Sequence, residues 1–175
     1  NPSVRPPAMR RTGMAYDEQR GRTVLFGGDT HGSTYFIGAM DQTWEWDGAT
    51  WQQRTTQTSP PARYAHGVVY DGWNGRILAF GGADAQFPLL GDVWAYDGVD
   101  WSPVNVPAMP ELGMGPTGVF DAARGRLIVE AQTPHVDELE GGQWIRRHAA
   151  GPERWRIENP NGRSGLLRRF GSAWA

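Results

Sequence analysis

The amino-acid sequence predicts an all-β protein built from a repeated four-stranded unit. The clearest copy runs from 61 to 106, and its landmarks have counterparts upstream at nearly constant spacing. Asp17 and Asp71 are 54 residues apart, while Trp51 and Trp101 are 50 apart. The chain also contains 24 Gly and 13 Pro among 175 residues, which suits many short strands joined by turns. These observations indicate a single β domain organised by its repeats.

Each copy is expected to hold four antiparallel strands. In the clearest copy, two short apolar runs flank the segment 71–75, whose Gly and Asn residues suit a tight reversal. A third run ends at Asp97-Gly98, a strong hairpin signal, and a fourth strand follows around Trp101. Over the whole chain the predicted strands lie near 13–17, 22–27, 43–47, 50–54, 67–71, 76–81, 92–96, 100–104, 117–121 and 126–130.

Several landmarks of the copies closely resemble the kelch motif. These are the glycine pairs at 27–28 and 81–82, an aromatic residue shortly before the last Trp, and that Trp itself. The resemblance covers roughly 9–147 and is weaker in the third copy, where Glu130-Ala131-Gln132 replaces Phe-Gly-Gly. It implies a β-propeller, and a four-stranded repeat of this length independently permits one. The expected blades span about 9–56, 61–106 and 109–147, and 148–175 is a degenerate partial blade or a basic tail.

Composition narrows the classes of partner. The formal net charge of −2 provides no overall attraction to nucleic acid or an anionic membrane, and no apolar stretch approaches membrane-spanning length. Cysteine is absent, so neither a disulfide nor a thiolate nucleophile is available. The four histidines show no metal-ligand spacing, and we therefore predict no metal site and no cofactor. Composition leaves the cellular compartment undecided.

The loops between the second and third strands are the predicted binding face, because binding residues concentrate on loops that a rigid scaffold presents. The candidate ligand-binding residues are Arg63, His66, His31, Tyr35 and Phe87. Arg63 and His66 precede the strand expected nearest the propeller axis. A structural role is the alternative for both: Arg63 would bridge to the backbone of a neighbouring blade, and His66 would satisfy buried carbonyl groups.

The aromatic residues fall into two groups. Residues that recur at one position, such as Trp51 and Trp101, are expected to pack between blades. Trp73 and Phe87 do not recur, which makes them better candidates for an exposed contact. Trp73 belongs to a turn on the face opposite the loops.

The C-terminal segment is distinctly basic, with seven Arg between 146 and 169. It is either a degenerate fourth blade or a nucleic-acid-binding tail, and we favour the blade. Because closed propellers use four to eight blades, three copies leave a ring incomplete. The ring would be completed by further chain, by the C-terminal segment, or by a second copy, which we favour.

Two functional classes fit the sequence. The expected one is a non-enzymatic binding module that presents its loop face to a protein or carbohydrate partner. The alternative is a small-molecule enzyme, similar to a sugar isomerase or lyase, with its site at the mouth of the central channel. No acid/base pair occupies one position in successive copies, which favours binding, and no catalytic residue is assigned.

Overall fold

A computed structural model describes residues 4–30, 38–86, 88–109, 115–131, 135–148, 155–158 and 164–167. These residues form an all-β fold without a helix, as predicted, and so include no helix able to cross a membrane. The strands are β1 (Met9–Arg10), β2 (Gly13–Asp17), β3 (Arg22–Phe26), β4 (Asp29–Thr30), β5 (Gly38–Ala39), β6 (Thr43–Trp46), β7 (Trp51–Arg54), β8 (Gly67–Asp71), β9 (Arg76–Phe80), β10 (Val93–Tyr96), β11 (Trp101–Pro103), β12 (Thr117–Asp121), β13 (Arg126–Glu130), β14 (His135–Glu140), β15 (Gln143–His148), β16 (Trp155–Glu158) and β17 (Ser164–Leu167).

Three four-stranded antiparallel sheets make up most of the fold. Sheet 1 has the order β2-β3-β6-β7, sheet 2 the order β8-β9-β10-β11, and sheet 3 the order β12-β13-β14-β15. The ten predicted strands all form, and each end lies within one residue of its predicted position. Strands β14 and β15, for which no range was predicted, complete sheet 3. Smaller elements are the three-stranded β1-β4-β5 and the pair β16-β17.

The turn between the first two strands has the same construction in all three sheets. A buried aspartate, Asp17, Asp71 or Asp121, closes each first strand, and its carboxylate accepts main-chain N–H groups of the turn that follows. A glycine ends each turn with φ of 63°, 64° or 66°, a left-handed conformation that costs glycine little. The recurring Asp and Gly therefore fix the hairpin, which explains why their spacing revealed the repeat.

The sheets pack side by side through their first strands, because β8 contacts β2 on one side and β12 on the other. Two buried cores result. The core between sheets 1 and 2 includes Phe26, Tyr96 and Trp101. The core between sheets 2 and 3 includes Phe80 and Leu127. Sheet 2 is thus covered on both faces.

The glycine pairs let neighbouring segments approach the end of the second strand. A Cβ at Gly27 would lie 2.7 Å from the main-chain oxygen of Arg63, and one at Gly82 would lie 2.6 Å from that of Tyr64. Both distances are too short for any side chain, and both glycines have positive φ, 60° and 86°. These positions therefore require glycine for contact with the chain that leads into β8.

The C-terminal region is described only in part. The structure places a strand at Ser164–Leu167, paired with β16, within the segment expected to be a degenerate blade or a basic tail. Residues 168–175 lie outside the described part of the chain. The described C-terminal strands form a separate two-stranded sheet.

Candidate functional site

Arg63 lies at the loop end of sheet 2 and is fully buried. Its guanidinium donates two hydrogen bonds to the Asp92 carboxylate, from Nη1 at 2.7 Å and from Nη2 at 2.8 Å. It also donates to the main-chain oxygens of Gly81 and Pro61, each at 3.1 Å. Burial raises the pKa of Asp92, but the hydrogen bonds and charge of Arg63 outweigh burial and lower it. The guanidinium is therefore engaged within its own sheet.

The main chain of Arg63 makes the connection to the neighbouring sheet. Its N–H donates to Met40 O at 3.0 Å, and its carbonyl oxygen accepts from Gly28 N–H at 2.8 Å. Arg63 thus contacts the backbone of the neighbouring sheet, as the structural alternative expected, and does so through its own main chain. Its side chain meanwhile holds sheet 2. Ligand contact at Arg63 stays a prediction.

His66 is buried beside the glycine pair of sheet 1. Its ring stands edge-on to Phe26, with centroids 5.4 Å apart, and a Cβ at Gly27 would lie 2.8 Å from the imidazole. Neither ring nitrogen makes a hydrogen bond of good geometry within the described residues. The Phe26 main chain nevertheless favours the protonated ring, as a hydrogen bond to its carbonyl would, so the expected contact with buried carbonyls stays a prediction. Burial, reinforced by the charge of Arg63, lowers the pKa of His66 to about 3. The imidazole is therefore neutral at pH 7, and its proposed contact with a ligand stays a prediction.

A second ionic cluster at this end of the molecule was missed in the sequence. Arg10 and Arg11 both donate to the fully buried Asp29 carboxylate, at 3.0 Å and 2.7 Å. Burial raises the pKa of the Asp29 carboxyl, but the two guanidinium groups have the larger effect, and the pKa is lowered overall. Arg11 also stacks over the Tyr64 ring, 4.3 Å from its centroid. The only available signal was the adjacent pair of arginines before β2.

The three remaining candidates, His31, Tyr35 and Phe87, lie outside the described residues. The structure thus brings Arg63 and His66 to one region and describes no contact of the other three. No group of three or more metal-ligand side chains occurs among the described residues.

A shallow, open pocket of about 490 Å³ lies at the opposite end of the sheets, between the first turns of sheets 1 and 2. The turn pocket is lined by Glu18, Gln19, Tyr70, Gly72, Trp73, Asn74 and Gly75. Trp73 is 62% exposed, and it packs beside the turn of sheet 3, because a Cβ at Gly125 would lie 3.1 Å from the indole. An aromatic surface therefore stands next to amide and carboxylate groups.

Carboxylate groups lie close to the Tyr70 phenol of the turn pocket. Burial raises the pKa of the Tyr70 phenol, and the carboxylates of Asp17, Glu18 and Asp71 raise it further. The Gln19 main chain opposes this shift. Asp17 and Asp71 form ion pairs with Arg20 and Arg76, which offset their charges, and the carboxylate that lines the pocket is that of Glu18. The pocket therefore suits a neutral ligand better than an anionic one.

Comparison with known proteins finds limited similarity. No family model matches the chain. Dynein regulatory complex subunit 7 of Chlamydomonas reinhardtii is 33% identical over 97 residues, which cover 53% of this chain. The chain spans only 8% of the length of that protein.

Proposed function

We propose that the three four-stranded sheets are successive blades of a kelch-type β-propeller. In such a fold each blade is a four-stranded meander, and the first strands of neighbouring blades lie together around an axis. Three features support this arrangement: the strand order within each sheet, the position of β8 between β2 and β12, and the glycine pairs.

We infer further that the protein is a non-enzymatic binding module. The feature that carries this inference is Trp73, an exposed tryptophan that does not recur in the repeat and borders the turn pocket. Trp101, a recurring aromatic, is in contrast buried between sheets 1 and 2. An exposed aromatic side chain that has no equivalent in the other sheets is available for recognition.

The chemistry of the turn pocket favours a neutral carbohydrate over a protein. The flat face of Trp73 matches the C–H face of a sugar ring, and the amide and carboxylate groups nearby match its hydroxyls. A volume of about 490 Å³ is that of a small-molecule site. A stable protein interface, in contrast, buries about 800 Å² on each partner. The ligand we propose is therefore a short neutral oligosaccharide.

The test is a screen of purified neutral and acidic oligosaccharides by quenching of tryptophan fluorescence, followed by titration calorimetry of the strongest binder. Trp73→Ala should weaken binding about fivefold or more, since stacking on an aromatic ring is worth about 1 kcal/mol or more. Leu89→Ala is the matched control, because Leu89 is 54% exposed in the loop between strands two and three of sheet 2. Loss of binding in Leu89→Ala but not in Trp73→Ala would instead place the ligand on the predicted loop face.

A further inference from the structure

A series of main-chain hydrogen bonds links equivalent residues of the three sheets. Ala65 N–H donates to Arg11 O at 2.9 Å, and Gly115 N–H donates to Ala65 O at 2.9 Å. The three residues precede the first strands of sheets 1, 2 and 3, and all have positive φ, 53°, 50° and 77°. Each sheet therefore passes a hydrogen bond to the next, and the series ends with the Arg11 N–H on one side and the Gly115 carbonyl on the other.

The interface between sheets 1 and 2 shows what one sheet offers the next. Sheet 1 contributes Glu45, whose carboxylate accepts from Arg20 Nη1 at 2.5 Å and lies 3.8 Å from Arg54 Nε. Sheet 2 contributes Tyr96 and Trp101, with ring centroids 5.1 Å apart. The Tyr96 hydroxyl donates to Glu45 at 3.1 Å. The ionic face of sheet 1 thus packs against a pair of aromatic rings from sheet 2.

The outer face of sheet 3, formed by Val119, Ile128, Glu138 and Ile145, repeats the ionic half of that interface. Glu138 stands at the register position of Glu45, opposite Ile128 as Glu45 is opposite Val24. Its carboxylate lies 3.3 Å from Arg147 Nε, and Arg147 occupies the position of Arg54. In sheet 2 the position of Glu45 and Glu138 is occupied by Ala95. The ionic arrangement therefore recurs on sheet 3, where no described sheet packs against it.

The outer face of sheet 1, formed by Met14, Tyr16, Trp46 and Trp51, repeats the aromatic half. Trp46 and Trp51 stand at the positions of Tyr96 and Trp101, and their ring centroids are 5.4 Å apart. Met14 and Tyr16 are 58% and 55% exposed. Neighbouring large apolar side chains on one sheet face are typical of an interaction surface. The two outer faces therefore carry the two complementary halves of the interface between sheets 1 and 2.

We propose that two copies of this chain pair about a twofold axis, with the outer face of sheet 1 in each copy packed on the outer face of sheet 3 in the other. This inference rests on the propeller arrangement proposed above. The three described four-stranded sheets of each copy together make a ring of six, within the range of four to eight that propellers use. The Trp46 and Trp51 pair then meets Glu138, and the Arg11 N–H meets the partner's Gly115 carbonyl. Both faces become buried, as those of sheet 2 already are.

Light scattering on a size-exclusion column tests the pairing with the full chain at micromolar concentration. The expected mass is about 39 kDa, twice the 19.4 kDa of one chain. A monodisperse species at 19.4 kDa overturns the proposal, and so does any assembly larger than a pair.

Two variants test which faces meet. Tyr16→Arg alters the outer face of sheet 1, and Val119→Glu alters that of sheet 3, so each variant alone places an unpaired charge in both interfaces of a pair. Each should raise the dissociation constant roughly 100-fold or more. Val99→Arg is the control, because Val99 is 72% exposed in the β10–β11 turn. Near-ultraviolet circular dichroism checks that every variant is folded.

Mixing the two variants gives the sharpest result. A mixed pair contains one unaltered interface and one in which the new Arg faces the new Glu. Pairing should therefore return in the mixture, while each variant alone stays monomeric. A mixture that also stays monomeric overturns the proposed facing of sheets 1 and 3. The outcome does not depend on the oligosaccharide screen, because the turn pocket is built from other residues.

Discussion

The two interfaces between sheets bury the same repeat positions with different chemistry. Between sheets 1 and 2, the Trp101 indole donates to Thr43 Oγ1 at 2.9 Å, and Tyr96 donates to the Glu45 carboxylate. Between sheets 2 and 3 the packing is apolar and includes Phe80 and Leu127. One interface is therefore held by aromatic rings together with ionic groups, and the other by apolar side chains, which include Phe80, Phe120 and Trp144.

This difference shows that residues facing each other across an interface differ in a matched way from one interface to the next. Where one sheet offers Glu45, the next offers the Tyr96 hydroxyl. Where sheet 2 offers Ala95, the equivalent of Glu45, sheet 3 offers Leu139, the equivalent of Tyr96. The repeated landmarks determine the hairpins, and the unrepeated residues determine which sheet faces can pack on each other.

The largest effect should come from removing the last tryptophan of a copy. Trp101→Ala should lower the free energy of unfolding by about 3–5 kcal/mol, because it empties a fully buried site and leaves Thr43 without its donor. Trp144→Ala should cost about half as much, since Trp144 is only partly buried and its indole donates to Pro107 O at the surface. Urea unfolding of both variants measures the difference. Equal losses would mean that the two interfaces are energetically alike.

Arg63 should be the next most costly residue to replace. Arg63→Ala removes four hydrogen bonds, leaves the Gly81 carbonyl without its side-chain donor and leaves Asp92 without its cation, although the Trp94 indole still donates to Asp92. We therefore expect a loss of about 3 kcal/mol. Arg10→Ala is the matched control, because Arg10 is half exposed and Asp29 retains Arg11; it should cost less than about 1 kcal/mol. Thermal unfolding measures both variants. An unchanged midpoint for Arg63→Ala would argue for a ligand-binding role.

His66 should make the interface between sheets 1 and 2 sensitive to acid. Its pKa of about 3 in the folded protein lies below the 6.5 expected when unfolded, so the unfolded state binds more protons between these values. The contribution of neutral His66 to the free energy of unfolding is therefore fully present above pH 6.5. It decreases as the pH falls from 6.5 toward 3, by up to about 1.4 kcal/mol per pH unit. Urea unfolding from pH 7 to pH 4.5 measures it, and His66→Gln should flatten the profile. Parallel profiles for the two proteins would contradict the prediction.

Much of the fold was predictable because its turns depend on local chemistry. Asp71 binds main-chain N–H groups two and three residues ahead, so the hairpin is encoded within a few residues. The partner of Arg63 was not predictable, because Asp92 lies 29 residues further along the chain. The turn pocket combines residues of two sheets, and the sequence indicated only that Trp73 does not recur. Contacts between repeats depend on packing that the spacing of landmarks does not specify.

The smallest predicted effect concerns the positive-φ residue before each first strand, where sheets 2 and 3 differ by one methyl group. Ala65 has φ 50°, a conformation that costs a non-glycine residue about 1–2 kcal/mol, whereas Gly115 has φ 77° at much lower cost. Ala65→Gly should therefore stabilise the protein by up to about 1 kcal/mol, after subtracting about 0.5–1 kcal/mol for the greater freedom of glycine in the unfolded chain. Gly115→Ala should destabilise it by a similar amount, although a Cβ there would meet nothing within 4 Å. Urea unfolding of both variants should give opposite signs, and the same sign for both would show that contacts, rather than backbone conformation, control this position.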